Sequence, residues 1–266
     1  MSAPRGGAQS ARGALHSRRD FLAMVGAVTA GACVNWRSPA EPKGGGSPRL
    51  SARPGAPSQT VTPGTYQITA TNPNDGFLVV PPTYDASRPT PLLVSFHGAG
   101  EGAESIRAAL SPYANSRGFL LLAVGARGMT WDVFSYRYSY DIAFIDSALA
   151  WAFARCNVDS ARVAVNGFSD GASYALGVGL GNGDLFSRVI AWSPGFIPNS
   201  DTSTVGRPRF FISHGTQDGV LRIDGASRVI VPDLKGRGYD VTYIEFDGGH
   251  TAPAAIVGQS FDWLLA

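Results

Sequence analysis

A short apolar run, Val163-Ala164-Val165, passes through Gly167-Phe168-Ser169-Asp170-Gly171 straight into a segment of helical character. A strand becomes a helix in so few residues only through a very tight turn. A Gly-x-Ser-x-Gly turn of this kind strains the serine backbone, and glycines two residues either side avoid collisions. The hydroxyl then stands at the top of a sheet, and the next N–H faces the place where a reacting carbonyl would sit. Such a turn needs a buried strand before it and a packed helix after it.

The rest of the chain supplies both. Apolar runs bounded by Pro and Gly predict strands at 76–80, 91–96, 119–124, 162–166, 187–192, 209–213 and 240–246. Helical spacing predicts helices over 105–116, 141–155, 171–179, 223–235 and 254–265. Strands that read as continuous apolar runs are buried on both faces, as in parallel sheets flanked by helices. The expectation is a three-layer α/β fold with helices on both faces of a mostly parallel sheet.

Charge divides the chain. The formal net charge of +2 averages two unlike pieces, because residues 1–58 hold eight of the 22 basic residues and two of the 20 acidic ones. The remainder is net −4, the wrong sign for a domain that grips nucleic acid. Two cysteines exclude a disulfide-stapled scaffold and a Cys-rich zinc site. No apolar run reaches the ~18 residues of a membrane span.

Arg18-Arg19 before Phe21-Leu22, then an apolar stretch ending at Ala30-Gly31-Ala32-Cys33, predict an export signal over residues 1–33, similar to the twin-arginine type. Ala30-Gly31-Ala32-Cys33 also resembles a bacterial lipobox, which makes Cys33 a lipidation candidate and a membrane attachment point. Cys156 is then a small buried hydrophobe; the alternative is a Cys33–Cys156 disulfide. Residues 34–60, rich in Pro, Gly, Ser and Arg, are expected to form a disordered linker. Residues 61–266 form the expected catalytic domain.

A serine hydroxyl needs a base to become a nucleophile. His16 belongs to the signal, which leaves His97, His214 and His250. His250 lies in the glycine-rich loop after the last strand and is the expected base. Its acid is expected to be Asp218, at a strand end, with Asp224 and Asp247 as competitors. His97-Gly98-Ala99-Gly100 follows a core strand, so the Ala99 N–H and the Asp170 N–H are the expected oxyanion donors. His97 and His214 are read as loop-fixing residues.

His97-Gly98-Ala99-Gly100, Asp141-Ile142-Ala143-Phe144-Ile145-Asp146, the Ser169 pentapeptide, His214-Gly215-Thr216-Gln217-Asp218 and Gly249-His250 together resemble the α/β-hydrolase superfamily. Within it the chain is similar, over residues 75–266, to compact secreted esterases of the polyhydroxybutyrate-depolymerase, feruloyl-esterase and phospholipase/carboxylesterase kind. The resemblance implies an α/β-hydrolase fold with little or no cap. It also implies a Ser169-His250-Asp218 triad, ester hydrolysis, and no metal or organic cofactor. A small-molecule ester is expected rather than solid polymer, because no separate polymer-binding domain is recognisable. Trp131, Phe134 and Trp192 are expected to border the substrate. Serine peptidases, acyltransferases and non-catalytic binding proteins use the same fold, and the sequence is silent on oligomeric state.

Overall fold

The computed structural model describes residues 48–68, 76–135, 140–198 and 204–266. The expected export signal and Cys33 lie outside the described residues.

Eight strands form one sheet: β1 Gly64–Ile68, β2 Gly76–Val80, β3 Thr90–Phe96, β4 Leu120–Val124, β5 Val158–Phe168, β6 Arg188–Trp192, β7 Arg209–Gly215 and β8 Val241–Phe246. Their spatial order is β1-β2-β4-β3-β5-β6-β7-β8. β1 and β2 pair antiparallel at one edge, and the other six run parallel. The sheet is therefore mixed but mostly parallel, with helices on both faces, as expected. β1 was not anticipated. Only Ile68 of its five residues is buried, so this edge strand carries no alternating apolar signal.

Among the described residues, five helices cover the sheet: α1 Ala103–Arg117, α2 Tyr140–Phe153, α3 Asp170–Gly181, α4 Ser227–Gly236 and α5 Ala254–Leu265. Strand residues alternate between two cores. Leu92, Val94 and Phe96 of β3 face α2, α3 and α4, whereas Leu93 faces α1 and α5. The four-residue rhythm expected of α2 puts Ile142, Ile145 and Leu149 into the first core. The helix expected over 223–235 is broken: a 3-10 turn at Ile223–Gly225 precedes α4.

The expected linker ends earlier than the composition suggests. Residues 48–60 run along the domain instead of away from it. Leu50 is 3% exposed, and the fully buried Asn182 side chain binds this strap from both sides. It accepts from the Leu50 N–H at 2.8 Å and donates to the Pro48 carbonyl at 2.6 Å. Arg49 forks onto Asp184, and Asp146 accepts the Ser51 and Ala52 N–H groups. Exposed ion pairs are worth little. The buried leucine and the satisfied backbone hold the strap.

The strap meets the C-terminal end of α3, a helix length (about 18 Å) from Ser169. Leu50→Ala should therefore cost about 2–5 kcal/mol of stability, as buried leucine truncations do. Urea unfolding checks the loss. Turnover per folded molecule should stay at the wild-type level.

Candidate active site

Ser169 joins β5 to α3 with φ 56° and ψ −121°, a conformation that non-glycine residues avoid. Its N–H donates to the Trp192 carbonyl at 3.0 Å, which fixes the turn to the end of β6. A Cβ at Gly171 would lie 2.4 Å from the His97 carbonyl oxygen and 2.5 Å from that of Phe96. Only glycine lets α3 start so close to β3.

The structure brings Ser169, His250 and Asp218 together from three loops at the carboxyl ends of β5, β8 and β7. His250 Nε2 is 2.8 Å from Ser169 Oγ, and Nδ1 is 2.6 Å from Asp218 Oδ2. A carboxylate only accepts, so Nδ1 carries the hydrogen and Nε2 is free to accept the serine proton. The His250 side chain is 14% exposed and packs against the Phe168 ring. Gly215 makes the approach of the β7 and β8 loops feasible: a Cβ there would meet the Gly248 and Gly249 carbonyls at 2.3 Å.

Asp218 is buried, which alone would push its carboxyl up. Hydrogen bonds from His214, His250 and the Leu221 N–H outweigh that and hold it well below the usual carboxylate range. The competing acids lie elsewhere. Asp224 pairs with Arg228, and Asp247 accepts from Gln217.

The loop bearing Ala99 lies against Ser169, since a Cβ at Gly98 would be 3.6 Å from that of Ser169. His97 clasps this loop. Its Nε2 accepts from the Ala126 N–H at 2.9 Å, so Nδ1 bears the hydrogen and donates to the Gly98 carbonyl at 2.7 Å. Burial favours the neutral ring. Asp170 starts α3, and its carboxylate accepts from Thr130 Oγ1 at 2.7 Å. Burial pushes that carboxyl up, and the Thr130 bond offsets part of the shift.

Two expected substrate contacts are corrected. Trp131 is 1% exposed, stacks on Tyr174 and donates from Nε1 to the His97 carbonyl, so it braces the Ala99 loop from inside. Trp192 is 2% exposed and packs edge-on against Phe261, because strand alternation turns it toward α5. The Phe134 side chain and residues 136–139 lie outside the description. Among the described residues, no three His, Cys, Asp or Glu side chains are grouped to hold a metal ion. Cys156 is buried, and burial pushes its thiol up to about 12.

Sequence reasoning missed Asp141 as an individual residue. Its Oδ1 accepts the Arg127 N–H and its Oδ2 the Asp132 N–H, while its own N–H donates to Asp132. This reciprocal staple at the start of α2 fixes the loop that carries Thr130 and Trp131. The signal was an acidic residue in a first helical turn behind a polar-aromatic loop. Asp146, quoted in the same motif, holds the strap instead.

No family model matches the chain. Feruloyl esterase C of Emericella nidulans is 25% identical over 250 residues, covering 82% of this chain and 88% of that protein. Among solved structures, acetyl xylan esterase from Aspergillus awamori matches with a TM-score of 0.60 at 15% identity, over 76% of this chain and 98% of its own. Esterase PE8 gives 0.59 at 21% identity, over 72% and 97%. The Bacillus cereus carboxylesterase gives 0.55 at 17% identity, over 71% and 92%. The fold is that of the α/β-hydrolases, and the sequence relationship to an esterase is distant.

Asp141 has a measurable consequence. Burial, only partly offset by the two N–H donors, pushes its carboxyl up to about 6. The unfolded carboxyl titrates near ~3.9. Between those values the folded chain holds a proton that the unfolded chain has released, so stability falls as pH rises through the window. The fall should reach up to about 3 kcal/mol for a shift of this size. Urea titrations at pH 4, 5, 6 and 7 should show that contribution in the wild type and its loss in Asp141→Asn.

Proposed function

We propose that this α/β-hydrolase, a distant relative of esterases, cleaves carboxylic esters by acyl transfer to Ser169. The carrying observation is the unbroken hydrogen-bond chain Ser169–His250–Asp218, with the imidazole tautomer a general base requires. His250 Nε2 takes the hydroxyl proton as Ser169 Oγ bonds to the ester carbonyl carbon. The tetrahedral oxyanion forms against the Ala99 and Asp170 N–H groups, at the positive end of α3. His250 then returns the proton to the departing alcohol, and Asp218 stabilises the transient imidazolium. A water repeats the sequence on the acyl-enzyme and regenerates Ser169.

Asp170 serves through its N–H, and its carboxylate ties α3 to Thr130. The substrate class is a small-molecule ester. The names of the relatives make feruloyl esters and acetyl xylan the first panel to test. Arg18 and Arg19 direct export, and cleavage exposes Cys33 as the acylated anchor. Intact mass of the mature protein checks this: a lipidated chain starting at Cys33 is expected, and an uncleaved cytoplasmic product would contradict it.

Ser169→Ala should abolish both ester turnover and labelling by a fluorophosphonate without loss of fold. Asp218→Asn should lose about 10⁴-fold in kcat by favouring the wrong tautomer. Asp224→Asn and Asp247→Asn should match the wild type. If either of those two is the damaging change instead, the acid is misassigned. Asp170→Asn, which keeps the N–H and an acceptor for Thr130, should retain most activity.

A further inference from the structure

His214 is fully buried at the end of β7 and has no place in a three-residue triad. Its Nε2 lies 2.7 Å from the Leu221 carbonyl oxygen and 3.2 Å from Asp218 Oδ2. Both are acceptors, so Nε2 carries a hydrogen, which donates to the Leu221 carbonyl with the Asp218 carboxylate close beside it. Nδ1 lies 2.7 Å from Ser227 Oγ in α4, where the hydroxyl donates to a neutral ring. The two carboxylate oxygens of Asp218 therefore divide their partners. Oδ1 accepts the Val220 and Leu221 N–H groups at 2.9 and 2.8 Å. Oδ2 faces two imidazoles, those of His250 and His214.

We propose that His214 is a positioning residue for the proposed triad, a second imidazole that pins Asp218 Oδ2 toward His250 and is itself held in the donor tautomer by Ser227. The inference rests on the ester-hydrolase reading and extends the polar chain to Ser169–His250–Asp218–His214–Ser227, the Asp218–His214 link being a 3.2 Å contact between the buried ring nitrogen and the carboxylate. Physically, an oxygen with two N–H donors spreads its negative charge over both. His214 thus fixes the direction of the bond to His250 and tempers its strength.

The other charged groups around His214 are few. Glu245 of β8 is its register partner and is itself forked by Arg228 of α4. Asp218 faces it from its own loop, and His250 stands beyond Asp218. When the His214 hydrogen is removed, Asp218 directs its full charge to His250. The imidazolium is then stabilised, and the acid limb of the pH–rate profile moves to higher pH.

The test uses the mature chain with p-nitrophenyl acetate, and compares His214→Met (similar bulk, no hydrogen), His214→Gln (an N–H near the Nε2 position) and Ser227→Ala. His214→Met should lower kcat about tenfold with KM within about twofold, the signature of misdirected chemistry rather than lost binding. Its acid limb should move up by about half a pH unit or more. The far-downfield proton resonance of the His250–Asp218 bond should move with it. His214→Gln should recover most of kcat and the limb, and Ser227→Ala should shift both slightly in the direction of His214→Met.

A folded His214→Met with wild-type kcat and acid limb overturns the proposal. So do Met and Gln variants equally impaired with limb and resonance unmoved, which is a packing role. If His214→Met does not fold, a wild-type profile in Ser227→Ala overturns it. Turnover surviving in Ser169→Ala would sink the ester-hydrolase reading itself. The proton resonance, which needs no turnover, still decides the His214–Asp218 link.

Discussion

The approach of α3 to the end of β3 is the contact on which the site depends. With Gly171 seated against the Phe96 and His97 carbonyls, the helix starts where β3 ends. Three things then coincide: the strained Ser169, the first N–H groups of α3, and the loop bearing Ala99. A helix N-terminus favours developing negative charge, so one steric fit sets both the place of Ser169 and the electrostatics around it. The same proximity leaves no room between Ser169 and its neighbours for an unstrained turn. The strain is held by the surrounding sheet and by the Ser169 N–H bond to Trp192.

Two buried carboxylates and one half-buried one show how donor count decides the state of an acid. Asp218 has two backbone N–H groups and two imidazoles around it, and these overcome burial. Asp141 has two N–H donors but also the Asp132 carboxylate beside it, and burial wins. Asp170 has one hydroxyl donor from Thr130, and burial again dominates. An acid that must orient a histidine through a reaction cycle has to stay ionised. Asp218 is the one whose surroundings do that, and Asp141 instead serves as a backbone staple under the Thr130 loop.

Away from the site, the strap closes the opposite end of the domain. It brings Leu50 into the main core and uses Asn182 as a two-sided splint for backbone that would otherwise lack partners.

Period and punctuation in the sequence were enough to define the alternating strands and helices, the tight turn at Ser169, and His250 and Asp218 as strand-end residues. These are local properties: apolar spacing, glycines that permit close turns, and polar residues where strands stop. Single-residue choices that depend on distant partners were not legible. Trp131 reads as an aromatic bordering the substrate until the His97 carbonyl is found at its Nε1. Leu50 reads as linker until Asn182, 132 residues away, is brought beside it. His214 reads as a loop residue until the fold sets its Nε2 beside the carboxylate that also holds His250. Chain composition determined the elements. Which side chains share one carboxylate was decided only by the tertiary structure, because hydrogen-bond partners are chosen by proximity in space rather than in sequence.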